Sequence, residues 1–573
     1  MNDIDKLYEL WREKATEPEV AAELKSVEGN HDEILDRFWQ NLAFGTGGLR
    51  GVLGAGTNRM NVYTVGQATQ GLANYLNEDF EKPSVAIGYD SRINSDKFAR
   101  YAATVLAANG VKVYLYKELM PTPIVAYAVR RLGCSSGIVL TASHNPSKYN
   151  GYKCYDRRGY QMTDEAAART LDYINACDMF ADVKTVAFDA ALADGRIEYI
   201  PEDFLDDYFA RVLSRSVNPE VCEKAGLSVI YTPLNGTGNK PVRKILAMAG
   251  IKDVTVVPSQ ELPDGRFPTC PFPNPEIREA FNEALALAET KKADLLLATD
   301  PDCDRVGIAV LTDGEYKLLT GNDVGCLLCD YILGQKKAKG ALAENPVVVK
   351  SIVSTEMATA VAESYGAQVE NVLTGFKYIG ERMTELENAG EADRFEIGFE
   401  ESYGYLTGMH TRDKDAVNAS LLICEMASFY KLQGKTLVDV MGELYGRFGY
   451  WNNQLFNYYF EGADGMAKMV AIMDALRKEC PAALGGRRVA FVTDYKLRKT
   501  VEMATGKEVP VTLPVSNVIV LQMDNKDKVI VRPAGTEPKL KIYAMVQGEN
   551  EAAAKAQTQR YEAEITALLG IAK

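Results

Sequence analysis

Basic charge is in the minority in this chain. Lys and Arg number 64 against 78 Asp and Glu, a net charge of −14 at pH 7. A protein that coats nucleic acid by neutralising phosphates carries the opposite balance. No nucleic-acid partner is therefore expected, although an anionic small molecule needs only a local basic cluster. Long apolar runs are also missing. No window approaches the roughly 18 consecutive apolar residues of a membrane span, and the opening MNDIDKLYELWREK lacks the apolar stretch of a secretory signal. The expectation is a cytoplasmic chain without a membrane partner. Paired thiol motifs are scarce. Of ten scattered Cys, only Cys326 and Cys329 form a CxxC, inside the apolar VGCLLCDYIL. Without a second pair or ligating histidines they read as core thiols of a buried helix, not as a zinc site. Unpaired thiols suit a reducing compartment. GxxxxGK[ST] is absent, which disfavours a P-loop nucleotide enzyme, and the hydrolase elbow GxSxG is absent around Ser143.

What is present is ordinary globular composition, 47% hydrophobic and 25% charged over 573 residues, enough for roughly four domains. Residues 1–42 carry apolar positions at helical spacing. One unit then recurs three times: an apolar strand, an amphipathic helix, a glycine and a second apolar strand. The copies start at SVAIGYDSR, LSVIYTPLNG and NPVVVKSIVS, with Gly110, Gly250 and Gly366 at the helix ends. Val- and Ile-rich strands without clean alternation are buried on both faces. The predicted fold is α/β: three similar α/β domains with mixed or mostly parallel sheets. A C-terminal α+β domain follows, built from NNQLFNYYF, VIVLQMD, KVIVRP and KLKIYAMV with a terminal helix. The predicted boundaries are 1–205, 206–320, 321–447 and 448–573.

Five motifs can carry chemistry. TDPDCDR follows the apolar strand ADLLLA, so Asp300, Asp302 and Asp304 fall at a strand's C-terminal end, where α/β sheets place ligands. Three carboxylates turned to one point repel unless a cation sits among them, and oxygen-only ligands favour Mg²⁺ or Ca²⁺. Arg305 and Leu311 stand where an EF-hand needs Gly and Glu, so that reading fails. TASHNPSKYNGYK also follows an apolar strand and presents Ser143, His144 and Lys153; a serine needs activation or prior modification to act. FGTGGLRG is a glycine turn with one Arg, suited to an anion or simply a turn. GFEESYGY places Glu400 and Ser402 two apart, on one side of an extended segment, a pattern that suits sugar hydroxyls and equally a solvated acidic turn. RPAGTEPKLKIY surrounds Gly535 with Arg532, Thr536, Lys539 and Lys541, a phosphate cradle of amides, a hydroxyl and cations.

In this order the five motifs resemble the α-D-phosphohexomutase family over nearly the whole chain, and most of all its bacterial phosphoglucomutase branch. The resemblance implies four domains around a central cleft and an isomerase interconverting glucose 1-phosphate and glucose 6-phosphate. A phosphoserine enzyme and a glucose 1,6-bisphosphate intermediate are implied with it. Phosphomannomutase and phosphopentomutase are alternatives within the family. The resemblance further implies that Ser143 carries the phosphoryl group and binds Mg²⁺ with Asp300, Asp302 and Asp304. Lys153 becomes a candidate general acid/base, assisted by His144 and Arg50. Thr46, Arg305, Thr374, Glu400, Ser402 and Lys414 would contact substrate, and Arg532, Gly535, Thr536 and Lys541 would grip the phosphate that is not transferred. One departure stands out: the family commonly has RPSGTEP where this chain has Ala534, which removes a hydroxyl donor. The implied assembly is a monomer or homodimer.

Overall fold

A computed structural model describes residues 3–45, 47–460, 465–534 and 539–571. The chain forms two compact units, one of Met1–Gly321 with Phe376–Thr436, the other of Asn322–Gly375 with Leu437–Lys573.

The first unit opens with three short helices, Asp3–Lys14, Pro18–Ser26 and His31–Phe38. Their apolar faces meet around Trp11, which makes edge contacts with Phe38, Tyr63 and Phe180. A six-stranded sheet follows. Its spatial order is Leu49–Val52, Tyr149–Asp156, Ser136–Leu140, Ser84–Tyr89, Lys112–Leu115, Ile197–Tyr199. The first two pairings are antiparallel and the rest parallel. The chain runs from the Ser84–Tyr89 strand to its neighbour on one side, then crosses back to Ser136–Leu140 on the other. The strand order therefore reverses between Ser84–Tyr89 and Ser136–Leu140, the crevice where open α/β sheets bind ligands. Asp90, Ser91 and Arg92 leave one lip of that crevice and Ser143 leaves the other.

A second mixed sheet has the order Glu315–Leu319, Val306–Thr312, Leu295–Thr299, Ser228–Thr232, Asp253–Val256, antiparallel in its first two pairings and parallel in the others. The inner strand Leu295–Thr299 is buried throughout, which is why LLLAT reads as an unbroken apolar run. The hairpin Phe395–Glu400 with Gly404–Leu406 and the helix Ala416–Lys431 complete this unit's site-bearing elements.

The second unit contains the parallel pair Val347–Ser351 and Gln368–Val372, linked by the helix Glu356–Ser364. It also holds an antiparallel sheet running Tyr450–Tyr459, Lys539–Gly548, Lys528–Pro533, Ile519–Met523, Arg487–Asp494, Lys499–Glu502, Glu508–Pro510. Met473, Leu521, Val529, Ile542 and Ile565 form the core between that sheet and its helices.

The recurrent glycines behave as expected: Gly110, Gly250 and Gly366 have φ of 77°, 91° and 86° at helix ends. Cys326 and Cys329 are buried in one helix. Two local expectations change. The sequence pattern predicts no strand between 483 and 510, where the structure has Arg487–Asp494 and the short Lys499–Glu502 and Glu508–Pro510, the last two without a buried apolar face. Ser402 is not on an extended segment. The strand ends at Glu400 and the chain turns through Tyr403 at φ 66°, so Glu400 and Ser402 do not share a strand face.

Candidate active site

The nucleophile candidate is built by a strained turn. After Leu140 the chain leaves the sheet, and Ser143 takes φ 52° in the left-handed region, a conformation that costs a non-glycine residue about 1 kcal/mol or more and persists only when its surroundings hold it. The Ser143 N–H donates to Thr141 Oγ1 at 2.8 Å. The side chain is buried, and its hydroxyl donates to Asp300 Oδ2 at 2.9 Å, with His144 Nδ1 3.1 Å away.

The acidic loop reaches the same point from the second sheet. Cys303, at φ 52°, folds TDPDCDR so that the amides of Asp304 and Arg305 donate to Asp300 Oδ1 at 3.1 and 3.0 Å. Carboxylate oxygens of Asp300, Asp302 and Asp304 lie within 4.8 Å of one another, and all three residues are buried. Asp302 Oδ1 and Asp304 Oδ1 accept no hydrogen bond among the described residues. Buried carboxylate oxygens left in that state carry a large desolvation cost, and an all-oxygen donor set with free lone pairs fits a hard divalent cation. The triad can therefore hold a metal ion. Behind it, Gly236 is obligatory, since a Cβ there would lie 2.4 Å from Pro301 Cα.

Cations gather on these carboxylates. Lys153 reaches in from the antiparallel strand beside the nucleophile strand, 2.7 Å from Asp302 Oδ2 and 3.1 Å from Asp304 Oδ2. Burial disfavours its ammonium, but Asp302 and Asp304 outweigh burial and raise its pKa. Lys414 Nζ lies 3.0 Å from Asp304 Oδ2. Its amide donates to Asp413 Oδ1 at 2.9 Å, and its stem passes Gly404, where a Cβ would lie 2.4 Å from Lys414 Cδ. Asp300 moves the other way: burial, then Asp304 and Asp302, push its pKa well up. Burial, then Arg305 and Arg50, hold His144 well below the ordinary imidazole value, so the ring is neutral. Arg50 reaches Asn145 Oδ1 at 3.4 Å.

Three family models match: phosphoglucomutase/phosphomannomutase alpha/beta/alpha domain I over residues 41–179, domain II over 206–314 and domain III over 320–448. A phosphoglucomutase of Staphylococcus epidermidis is 35% identical over 503 residues, 88% of this chain and 90% of that one. A phosphoglucomutase of Staphylococcus aureus is 34% identical over 546 residues, 95% of this chain and 96% of that one. The chain belongs to the α-D-phosphohexomutase family. It is a phosphohexomutase, an isomerase. Its fold is that of the family, three α/β domains with mixed sheets and a β-rich C-terminal domain. The fold is shared with solved structures of low identity. A phosphoglucomutase/phosphomannomutase family protein of Burkholderia thailandensis gives a TM-score of 0.67 at 16% identity, covering 93% of this chain and 98% of that one. The Paramecium phosphoprotein parafusin, described as a phosphoglucomutase in its open form, gives 0.67 at 17%, covering 93% and 96%.

Within the first unit of this phosphohexomutase, Ser143, His144, Lys153, Arg50, Arg305, Lys414 and the three aspartates converge. Glu400 is buried at its strand end and acts electrostatically on both Arg305 and Lys414. Ser402 sits in the turn beyond it. The second unit holds Thr374, Arg532 and Lys541. Arg532 Nη1 donates to Thr374 Oγ1, and Arg532 pairs with Lys541 across adjacent strands, so both lie on one sheet face. Thr46, Gly535 and Thr536 fall outside the described residues.

Sequence reasoning missed two supports of the centre. Thr122 donates its amide to Asp302 O at 2.9 Å and its hydroxyl to Asp302 Oδ2 at 2.8 Å. Glu276 accepts from Arg305 Nη1 at 2.6 Å. Thr122 opens the helix Thr122–Arg131 behind Pro121, and Glu276 lies in the loop PNPE; a lone Thr or Glu beside prolines carries no chemical signature in the sequence.

Proposed function

We propose that this phosphohexomutase is a phosphoglucomutase that interconverts glucose 1-phosphate and glucose 6-phosphate through a phosphoserine at residue 143 and a glucose 1,6-bisphosphate intermediate. The observation that carries the reading is the buried contact of Ser143 Oγ with Asp300 at the edge of the aspartate triad. Asp300, Asp302 and Asp304, with the phosphoryl group on Ser143, would hold Mg²⁺, which would supply charge neutralisation for the transferred group. A phosphoserine adds roughly −1.5 to −2 charge, and with three carboxylates nearby the cations Lys153, Lys414 and Arg305 are needed to offset it.

The chain's own residues then divide the work of phosphoryl transfer, which is mostly positioning and charge stabilisation. The bond from phosphorus to Ser143 Oγ breaks as the bond to a sugar hydroxyl oxygen forms. Lys153 is the candidate general acid/base, assisted by His144 and Arg50: its ammonium, held by Asp302 and Asp304, protonates the departing Ser143 Oγ, and the neutral His144 imidazole takes the hydroxyl proton. The bisphosphate then presents its other phosphoryl group to Ser143 Oγ, and the proton is returned to the sugar oxygen that is released. Glu400 and Ser402 hold the sugar's 3- and 4-hydroxyls. Arg305, Lys414, Thr46 and Thr374 contact the substrate, and Arg532, Gly535, Thr536 and Lys541 grip the phosphate at rest. The domains behind these loops are 1–205, 206–320, 321–447 and 448–573.

A coupled assay with glucose 1-phosphate, mannose 1-phosphate and ribose 1-phosphate, with Mg²⁺ and trace bisphosphate, tests the reading. Glucose 1-phosphate is expected to give the highest kcat/KM. Preference for mannose or ribose would replace glucose as the substrate, and release of inorganic phosphate alone would make the protein a phosphatase.

A further inference from the structure

At the lip of the crevice opposite Ser143, one buried guanidinium gathers the whole nucleophile turn. Arg92 Nη2 donates to Ser143 O at 2.6 Å and to Asn145 O. Its Nη1 donates to Pro146 O and Tyr149 O, each at 3.0 Å. Its Nε faces Asp90 Oδ2 at 3.3 Å, with both side chains fully buried. The ring of Phe267, from the neighbouring sheet's loops, packs against it, with the guanidinium carbon 5.0 Å from the ring centre. Asp90 is itself fixed by the Arg92 amide at 2.9 Å and Ser95 Oγ at 2.8 Å. A residue of this kind is more than a surface clip: four carbonyls of one seven-residue turn point at a single cation.

That arrangement has a consequence for the amides. In a trans peptide the N–H points opposite to the preceding C=O, and no peptide bond here is cis. With Ser143 O drawn back to Arg92, the His144 N–H faces the other way. That amide donates to no acceptor among the described residues.

We propose that Arg92 is a positioning residue for phosphoryl transfer: it holds Ser143 in its strained left-handed conformation and turns the His144 amide N–H toward the phosphoryl group that Ser143 carries. A preorganised backbone donor aimed at a transferring group acts without reorganisation at the moment of reaction. The inference rests on the phosphoserine reading above. Arg92 supplies the geometry, Asp90 orients Arg92, and neither touches substrate.

The test compares wild type, Arg92→Lys, Arg92→Ala and Asp90→Asn as full chains with Mg²⁺ and bisphosphate. Lysine keeps the charge but cannot fork to four carbonyls. Arg92→Lys and Arg92→Ala are expected to lose about 100-fold in kcat, the scale of a small misplacement of reacting groups, with KM for glucose 1-phosphate within about threefold of wild type. Phosphoryl uptake by Ser143, read by intact mass, should slow by the same factor. Millimolar guanidinium should restore part of the kcat of Arg92→Ala and leave wild type unchanged. Should the Arg92 variants fail to fold, Asp90→Asn decides, with an expected loss of about tenfold in kcat and an unchanged KM. Folded variants with wild-type kcat and wild-type phosphoryl uptake overturn the proposal, as does a loss carried wholly by KM. Wild type without mutase activity would overturn the underlying reading instead, so the two failures are distinct.

Discussion

Single residues decide the chemistry, and their surroundings make definite demands. Arg305 is held by Glu276, whose carboxylate offsets the burial that opposes the guanidinium charge. Glu276→Gln keeps a hydrogen bond but removes the charge. A loss of about 10-fold in kcat/KM is expected, on the scale of a charge-assisted bond weakened to a neutral one, with steady-state kinetics as the check; unchanged kinetics would remove Glu276 from the positioning network. Ala534 is a second case. Its amide donates to Lys539 O at 2.7 Å, and its methyl stands where the family commonly has a hydroxyl. Ala534→Ser should retain activity and lower KM by up to about fivefold, the value of one added hydrogen bond. A large loss of activity would mean that this turn does not serve the phosphate. At this scale the sequence was informative where residues with chemistry follow an apolar strand, as at DPDCDR and TASHNP. It was silent on Arg92, although GYDSR also ends a strand, because a single Arg after a strand is indistinguishable from a solvated one until its four carbonyl partners are seen.

Elements set the positions those residues occupy. The close approach of the Gly236 turn to Pro301 means that the metal loop rests on bare backbone. Gly236→Ala is expected to displace the loop, costing about 1–3 kcal/mol of stability and weakening metal affinity, read by thermal melting and by titration with Mg²⁺. A variant with wild-type stability and affinity would show that the loop has room to shift. In the second unit, the helix Glu356–Ser364 begins on a buried cluster. Glu356 Oε1 meets Lys528 Nζ at 2.7 Å and Lys350 Nζ at 3.3 Å, with Lys350 fully buried. Burial opposes the carboxylate, but Lys350 and Lys528 overcome it and bring the pKa of Glu356 from 4.5 down to about 2. A depressed carboxyl pKa stabilises the fold above the unfolded value and loses that stability as pH falls through the folded one. The contribution, at most about 3 kcal/mol, is therefore complete above about pH 5 and gone near pH 2. Glu356→Gln should lower Tm at pH 7, and the gap from wild type should close as pH drops below about 4; a gap independent of pH would contradict the assignment. Repeated strand–helix–glycine–strand units were legible because their period and helix-end glycines obey local rules. Strands such as Lys499–Glu502, with no buried face, obey none, and their pairing is decided by neighbours far along the chain.

At the scale of the whole molecule, the two α/β sheets of the first unit each deliver one half of a single centre. The nucleophile comes from one sheet's crevice and the carboxylates from the other sheet's strand end, and they meet at 2.9 Å across 157 residues of sequence. No local pattern encodes that meeting. It follows from the family fold, which the motif order made readable and three-dimensional structure made concrete. The proposed mutase chemistry needs Ser143 as the store of a transferable phosphoryl group. Intact-mass spectrometry of the full chain, incubated with glucose 1,6-bisphosphate and Mg²⁺ beside Ser143→Ala, measures this directly. Wild type is expected to gain one phosphoryl group and give it up to glucose 1-phosphate or glucose 6-phosphate, and Ser143→Ala to gain none. Equal uptake by the two proteins, or mutase activity surviving in Ser143→Ala, would contradict it.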